Sequence, residues 1–188
     1  MRISSLAYAF VAFASAAAAQ QSGAQAAPAA ATTIIIVRHA EKAAAPAADP
    51  PLTPLGVARA ETLRQLVRDA GVRAVISTQF VRTRTTGAPA AAALGITPEV
   101  LDARLTPGAT RDSILARHRG QTVLLVGHSN TLPALVEAFG VPRPADICDA
   151  GYDNVFVVTV PSSGSASVLH LHFGTPTPCG ESAPMMKP

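Results

Sequence analysis

Two runs of large, mostly β-branched apolar residues constrain the fold of this chain most strongly. Residues 32–37 (TTIIIV) and 122–126 (TVLLV) contain no charged side chain, which is typical of strands that are buried on both faces of a sheet. Each run ends abruptly in a polar cluster, RHAEK at 38–42 and GHSN at 127–130. A strand buried on both faces needs helices on both sides of its sheet, so the runs predict an α/β protein.

The segments between these runs predict alternating helices and strands. We predict helices over 53–70, 80–94, 111–118 and 132–139, and further strands over 72–76 and 99–101. Thr53 followed by Pro54 is a typical helix start. On the helix that follows, the apolar stripe is expected to comprise Val57, Leu63, Leu66, Val67 and Ala70, and the solvent side Arg59, Glu61, Arg64 and Arg68.

The last part of the chain follows a different pattern. Residues 154–160 and 167–173 alternate apolar and polar side chains around a loop that contains glycine, which indicates a β-hairpin. Earlier strands alternate with helices, which favours right-handed crossovers and parallel pairing. The predicted fold is a three-layer α/β sandwich, with a mostly parallel central sheet flanked by helices and a C-terminal antiparallel hairpin.

The first thirty residues are set apart by their composition. Arg2 is the only charged residue before Arg38, and residues 6–19 are apolar or small. This pattern predicts a signal peptide over 1–19 and a flexible lead-in over 20–31; an anchoring helix is the alternative, but the run is short and rich in alanine. We expect a periplasmic or secreted protein without stable membrane insertion, whose functional domain spans 32–175 and whose tail spans 176–188.

Composition excludes several classes of protein. Of the 188 residues, 48% are hydrophobic and 14% are charged, and the apolar residues occur in short clusters. A disordered chain and a protein with several membrane spans are therefore both excluded, and the length suits one domain. The net charge of +3 is too small to indicate a nucleic-acid partner.

Cys148 and Cys179 are the two cysteines of the chain. In an oxidising compartment they are expected to form one disulfide, which ties the tail to the loop after Pro142. Two unpaired thiols are the alternative. Neither cysteine has a second ligand at metal spacing, so no zinc site is expected.

Polar residues follow both buried strands at the point where each strand ends. Arg38 and His39 come directly after the first run, and Gly127 and His128 follow the second. Arg82 lies in the first turn of the helix after the 72–76 strand, at the same predicted edge of the sheet. The carboxyl ends of parallel strands are where α/β proteins bind ligands, so this group is the candidate site.

These residues, in this order, resemble the histidine phosphatase superfamily in its phosphoglycerate mutase-like branch 1, and in particular small secreted phosphohistidine phosphatase-like members. The resemblance spans about Ile34 to Phe173. It is carried by Arg38-His39, Arg82 with Thr86 one turn later, Gly127-His128, and the Thr53-Pro54-Leu55-Gly56 segment, which is similar to the family's Leu-Thr-x-x-Gly.

The resemblance implies a phosphatase acting on a small phosphorylated substrate through a phosphohistidine on His39. Arg38, Arg82 and His128 are then expected to bind the phosphoryl oxygens, because charge in phosphoryl transfer accumulates on those atoms. Neighbouring guanidinium groups favour the neutral, nucleophilic imidazole. We expect no metal and no cofactor, since the arginines neutralise the phosphate.

The residue that protonates the leaving group is less clear from the sequence. Many members of the family carry a Glu directly before an Arg on the segment after the second arginine, and this chain has Ala103 before Arg104. Asp102, one position earlier, is the candidate general acid, with a solvated loop carboxylate as the alternative. Without an acid, the good substrates should be those with easy leaving groups.

Two other functions are consistent with some of the same residues. Ser129 follows a strand as in a hydrolase nucleophile elbow, with Asp149 or Asp153 and then His170 or His172 as triad partners. Thr131 stands where that elbow needs glycine, and the serine esterase leaves the two arginines unexplained. The third hypothesis, a phosphate-binding module without turnover, is disfavoured by the presence of both His39 and His128.

The remaining polar residues have ordinary structural explanations. His118 lies at a predicted helix C-terminus, where a cation suits the helix dipole. His170 and His172 share one face of the last strand, and an exposed strand face is favoured over a metal pair. Glu41 and Lys42 are expected to line or support the entrance of the site.

Overall fold

A computed structural model, which describes residues 30–177 and Cys179, contains ten regular elements. The predicted signal peptide, the lead-in up to residue 29 and nearly all of the tail beyond 177 lie outside the described residues. The strands are β1 (Thr32–Arg38), β2 (Val72–Thr78), β3 (Glu99–Leu101), β4 (Thr122–Gly127), β5 (Asn154–Val160) and β6 (Ser167–His172). The helices are α1 (Pro54–Val67), α2 (Val81–Leu94), α3 (Pro107–His118) and α4 (Leu132–Ala138).

The strands form one mixed sheet in the order β3-β2-β4-β1-β5-β6. The pairs β3–β2, β2–β4 and β4–β1 are parallel, whereas β5 runs antiparallel to β1 and β6 antiparallel to β5. The predicted fold class is confirmed, including the C-terminal antiparallel hairpin. Strand β1 lies in the interior of the sheet, between a parallel and an antiparallel neighbour. Its position away from both sheet edges is consistent with its continuous run of apolar residues.

Alternate side chains of the buried strands enter two separate cores. Ile34 and Ile36 pack with residues of α3 and α4, whereas Ile35 and Val37 pack with residues of α1 and α2. The same alternation holds along β4, so both faces of these strands are shielded from water. The continuous apolar runs therefore follow from helical layers on both sides of the sheet.

Two helices begin with the same Thr-Pro pair. Thr53 Oγ1 accepts from the Gly56 N–H at 3.1 Å, as the sequence predicts. Helix α3 begins at Pro107, earlier than the predicted residue 111, because Thr106 Oγ1 accepts from the Ala109 N–H at 3.2 Å. None of the helices within residues 30–177 is long and apolar enough to cross a membrane.

The first turn of α1 packs tightly against the segment after β1. A Cβ atom at Gly56 would lie 2.3 Å from the Glu41 carbonyl oxygen, so only glycine fits there. The Thr53 N–H also donates to that carbonyl, at 2.9 Å. The Thr-x-x-Gly spacing thus places α1 beside the residues that follow Arg38.

Arg59 corrects the prediction for α1. Its side chain is buried, not on the solvent side, and its Nε donates to both carboxylate oxygens of Glu41 at 2.9 and 3.0 Å. Its Nη1 and Nη2 donate to the carbonyls of Phe173 and Thr175, both at 2.9 Å. Val57 and Leu66 of the predicted apolar stripe are instead exposed. The acceptors come from distant segments, so the sequence of the helix alone gives no sign of them.

Replacing Arg59 by Met should lower the free energy of unfolding by about 3 kcal/mol, because it leaves the Glu41 carboxylate buried without its partner. Arg64→Met on the same helix removes a solvent-exposed pair with Glu61 and should leave the free energy of unfolding almost unchanged. Urea denaturation of both variants measures the difference. Equal losses would contradict a structural role for the buried pair.

Candidate active site

The two histidines predicted from separate motifs lie side by side at the carboxyl edge of the sheet. Strands β1 and β4 pair in parallel with Arg38 opposite Gly127. The His39 N–H continues this pairing by donating to the Gly127 carbonyl at 2.9 Å. The centroids of the His39 and His128 rings are 5.4 Å apart. The register of two buried strands therefore joins the two motifs.

His39 is a buried, neutral imidazole. Its Nδ1 lies 2.8 Å from the Ala40 carbonyl oxygen, and because a carbonyl only accepts, Nδ1 carries the proton and Nε2 keeps its lone pair. Burial, with smaller contributions from the positive charges of Arg38 and Arg82, lowers the pKa of His39 to about 3. The ring thus meets the requirement for a nucleophile near neutral pH.

Thr86 fixes the backbone next to His39. Its Oγ1 accepts from the Ala40 N–H at 2.9 Å and donates to the Arg82 carbonyl at 2.7 Å. One hydroxyl therefore links the segment after β1 to the first turn of α2. A threonine one turn after Arg82 is placed to make both hydrogen bonds.

His128 is held by a short chain of hydroxyl groups. Thr83 Oγ1 lies 2.8 Å from the Phe80 carbonyl and uses its one proton there, so Thr78 donates to Thr83 at 2.8 Å. His128 Nε2 must then donate to Thr78, at 3.0 Å. Burial lowers the pKa of His128 to about 4, with Arg82 and Arg38 adding to the effect.

The Arg38 side chain is fully buried by the loop that precedes β5. Its Nη1 lies 3.1, 2.9 and 3.0 Å from the carbonyl oxygens of Cys148, Asp149 and Gly151. Its Nη2 donates to the Asp149 carboxylate at 3.0 Å. The Tyr152 ring lies 4.0 Å from the guanidinium carbon. This loop therefore sets the position of Arg38.

The same loop is fastened to the start of the tail. Cys148 is joined to Cys179 by a disulfide, with the two Cα atoms 5.8 Å apart. Thr177 Oγ1 donates to the Asp153 carboxylate at 2.8 Å, and the Thr177 N–H donates to it at 3.2 Å. Cys148 also supplies a carbonyl to Arg38, so the covalent tether is attached to one of the residues that hold the guanidinium.

Arg82 enters the site from the first turn of α2. Its Nη1 lies 3.6 Å from the Asp49 carboxylate, and its guanidinium carbon lies 4.3 Å from the Phe80 ring centroid. Asp49 also accepts from the Val81 N–H at 2.9 Å, so it caps α2 from the loop after β1. One carboxylate thus orients both the helix start and the arginine.

Both arginines keep a buried donor without an acceptor. The Nε–H groups of Arg38 and Arg82 have no hydrogen-bond partner among the described residues. Buried donors are paired in the great majority of cases, so unpaired ones next to two neutral histidines indicate a site that accepts an anion.

An open cleft lies in front of the two histidines. The residues that line it are His39, Lys42, Gln79, Phe80, Arg82, Ala103, Arg104, His128, Ser129, Asn130 and Thr131. Three of these side chains are cationic and none is a carboxylate, which suits a negatively charged ligand. Within residues 30–177 and Cys179, no group of three or more His, Cys, Asp or Glu is placed to hold a metal ion.

Asp102 is not brought into this cleft. It forms an exposed ion pair with Arg104, whose Nη2 donates to its carboxylate at 2.6 Å. The hydrogen bonds from Arg104 lower the pKa of Asp102 to about 2. A general acid must carry a proton at the working pH, so this geometry does not favour Asp102 in that role.

The serine hydrolase alternative lacks its required contacts. Ser129 Oγ is buried and has no hydrogen-bond partner within the part of the chain that the structure describes. His170 bonds to Asn154 at 2.8 Å, and His172 lies 3.2 Å from Asp153. Both histidines are on β6, separated from β4 by two strands, so neither histidine bonds to the serine hydroxyl.

Several residues that shape the site were missed from the sequence. Thr78, Asp49, Asp149 and Tyr152 have no motif of their own, and each acts through a partner that is distant along the chain. Their only local signal is their position in loops or at the end of a strand. Of the two residues expected to line or support the entrance, Glu41 pairs with the buried Arg59 and Lys42 lines the cleft.

Comparisons with known proteins agree with this arrangement. Fold and site together define an α/β protein of the phosphoglycerate mutase-like class. Residues 34–107 match the family model of the Histidine phosphatase superfamily (branch 1). The match includes Arg38, His39 and Arg82, and it ends before His128. The predicted resemblance to this superfamily is therefore confirmed.

Solved structures with the same fold cover most of the chain. Two are assigned as phosphohistidine phosphatase SixA, from Nakamurella multipartitia and Agrobacterium tumefaciens, and each is 25% identical to this chain. The first has a TM-score of 0.59 and covers 79% of this chain and 100% of its own. The second has a TM-score of 0.57 and covers 77% and 98%.

A third structure, the protein histidine phosphatase SixA complexed with tungstate, supports the fold alone. It is 21% identical, has a TM-score of 0.60, and covers 74% of this chain and 96% of its own. No curated protein matches this chain in sequence.

Removing the disulfide should weaken both the fold and anion binding. In the double variant Cys148→Ser, Cys179→Ser, the free energy of unfolding should fall by roughly 3 kcal/mol, as expected for a loop of this length. Vanadate should bind more weakly, because the loop that holds Arg38 loses its tether. Calorimetry measures both quantities.

Dithiothreitol should reproduce the effect in the wild-type protein and leave the double variant unchanged. Unaltered vanadate affinity in the double variant would contradict the link between the tether and Arg38.

His39 and His128 should remain neutral well below the ordinary histidine pKa. In the unfolded chain both protonate near pH 6.5, whereas in the folded protein they do so near 3 and 4. The unfolded state therefore binds more protons as the pH falls below 6.5. Stability should then drop with falling pH, by up to about 1.4 kcal/mol per pH unit for each histidine.

NMR titration of the histidine ring protons checks this directly, with the urea-unfolded protein as the reference. The rings of His39 and His128 should show no titration between pH 8 and 5, and His39→Ala should remove one of these signals. A His39 signal that titrates near 6.5 would show that the ring is not buried as described.

Proposed function

We propose that this protein is a phosphatase that hydrolyses phosphomonoesters, or the phosphohistidine of a phosphoprotein, through a covalent phosphohistidine on His39 and without a metal ion. It would thus be a phosphoric monoester hydrolase of the histidine phosphatase type. One observation carries the proposal: a buried neutral imidazole, with its Nε2 lone pair free, lies beside two arginines that keep unpaired donors.

The chemistry follows from these groups in two steps. His39 Nε2 attacks phosphorus in line, a nitrogen–phosphorus bond forms, and the bond from phosphorus to the leaving oxygen breaks. Water then attacks phosphorus, releases inorganic phosphate and restores the neutral imidazole. Arg38 and Arg82 offset the charge on the three equatorial oxygens, which is the role that a metal ion has in other phosphatases.

His128 acts next to the same phosphoryl group. As a neutral ring it already donates its one N–H to Thr78. A bound phosphate dianion favours the protonated form of a neighbouring histidine, which adds a second N–H on Nδ1. His128 thereby gains a proton as the anion binds, and this proton strengthens the hold on the phosphoryl oxygens.

The leaving group sets which substrates react well. No carboxylate lines the described cleft, and Asp102 is paired with Arg104. Water must then protonate the leaving atom in most cases, so aryl phosphates and other phosphates with easy leaving groups are favoured. The SixA-type neighbours, which are named as phosphohistidine phosphatases, add phosphohistidine to this class.

The proposed location is the periplasm or the outside of the cell, with residues 32–175 as the catalytic domain. The N-terminal pattern motivates this location. The disulfide between Cys148 and Cys179 supports it, because such bonds persist in oxidising compartments.

A phosphate-binding module without turnover is the second candidate. It is favoured by one observation, the complete burial of Arg38 beneath the loop of residues 148–152. Such burial suits a rigid anion-binding group as well as a catalytic one. The unpaired Nε2 of His39 serves no purpose in pure binding, and this favours the enzyme.

Hydrolysis of 4-nitrophenyl phosphate by the mature protein tests the proposal. Turnover should persist in EDTA, stop with vanadate, and fall at least about a thousandfold in His39→Ala. His172→Ala, on the exposed face of β6, is the matched control and should keep full activity. Enzyme quenched in alkaline detergent should carry an acid-labile, base-stable phosphoryl group that the His39 variant lacks.

A folded wild-type protein that binds vanadate but releases no nitrophenol would favour the binding module. Activity that EDTA abolishes would contradict the metal-free mechanism.

A further inference from the structure

A second cavity adjoins the cleft at His128. It lies between the carboxyl ends of β2 and β4, the loop after β3, and the first turns of α3 and α4. Its volume is about 50 Å³. Its walls are mostly apolar and include Leu101, Leu105, Pro107, Leu125 and Leu135, with Asp102 also among the lining residues. A narrow apolar cavity of this size has room for a short apolar group and not for a whole ligand.

The cavity and the catalytic cleft share a boundary. Ala103, His128 and Thr131 line both of them. Ala103 is the smallest of the three, and its N–H donates to Gln79 Oε1 at 2.9 Å, which fixes its backbone near the end of β2. The small side chain of Ala103 therefore lies where the cleft and the cavity meet.

One polar group inside the cavity has no partner. Ser77 lines the cavity, its side chain is 2% exposed, and its Oγ makes no hydrogen bond among the described residues. Thr78, the next residue, is already used by His128. An unpaired buried hydroxyl is unusual in a packed core, and it is common where a bound molecule supplies the missing partner.

The mouth of the cavity also differs from an ordinary core boundary. Leu105 lies at the mouth and is 39% exposed, so an apolar side chain faces water beside a charged cleft. Leu125 and Leu135 belong to the core between the sheet and the helices α3 and α4. The cavity therefore runs from the catalytic cleft toward that core, with apolar contacts along its length.

We propose that this cavity binds the apolar part of the substrate, so that the preferred substrates are phosphomonoesters that carry a short alkyl chain. The inference rests on the proposed phosphatase function, because the cleft must hold the phosphoryl group. Ala103 then determines specificity, since its size decides whether the apolar group passes from the cleft into the cavity.

Alkylphosphonates test the cavity without any chemical step. Methylphosphonate and hexylphosphonate carry the same anionic group, and neither has a leaving group that could be hydrolysed. Each methylene that enters an apolar cavity should strengthen binding about fourfold. Titration calorimetry should therefore find that hexylphosphonate binds the wild-type protein at least tenfold more tightly than methylphosphonate.

Three variants locate the alkyl chain. Ala103→Leu narrows the passage and should bring the ratio of the two affinities close to one. Leu105→Ser removes an apolar wall at the mouth and should lower the ratio severalfold. Ala116→Leu makes the same change as the first variant on the exposed side of α3 and should leave the ratio as in the wild type.

The outcomes separate this inference from the proposed function. Equal binding of the two phosphonates would overturn the cavity proposal and leave the phosphatase standing. An unchanged preference for hexylphosphonate in Ala103→Leu would also overturn it, because the chain would then bind elsewhere. If neither phosphonate bound, and vanadate did not bind either, the anion site itself would fail, and both proposals with it.

Discussion

Parallel pairing of β1 with β4 is the constraint on which the rest of this structure depends. Both strands are buried on both faces, so successive side chains of each strand must enter the two cores in strict alternation. The resulting register sets Arg38 opposite Gly127 and brings His39 next to His128. A shift of one residue would exchange the cores that each side chain enters and would separate the two rings.

The second constraint is the burial of two arginines. A buried guanidinium needs acceptors for its five N–H groups, and helices and strands use up their own carbonyls. Arg38 therefore takes carbonyls from the loop before β5, and Arg59 takes those of Phe173 and Thr175. Both sets of acceptors come from the C-terminal third of the chain. The disulfide at Cys148 and the contacts of Asp153 hold that third in place.

The chemistry of the site is a consequence of these two constraints. Burial that tertiary packing imposes keeps His39 and His128 neutral. The adjacent arginines supply a lasting positive charge, because guanidinium groups do not lose their proton in proteins. Ala103, at the position where the family resemblance implies an acid, lines both the cleft and the apolar cavity.

The sequence by itself determined the class of fold, the order of the elements and the group formed by Arg38, His39, Arg82 and His128, because these follow from local patterns: continuous apolar runs, Thr-Pro helix starts and polar clusters at strand ends. Only the tertiary structure decided that Arg59 is buried, that Thr78 and Asp49 hold the site residues, and that the Asp102 carboxylate pairs with Arg104. The physical reason is that a hydrogen bond or an ion pair depends on which partner lies within about 3 Å, and partners distant along the chain leave no local pattern.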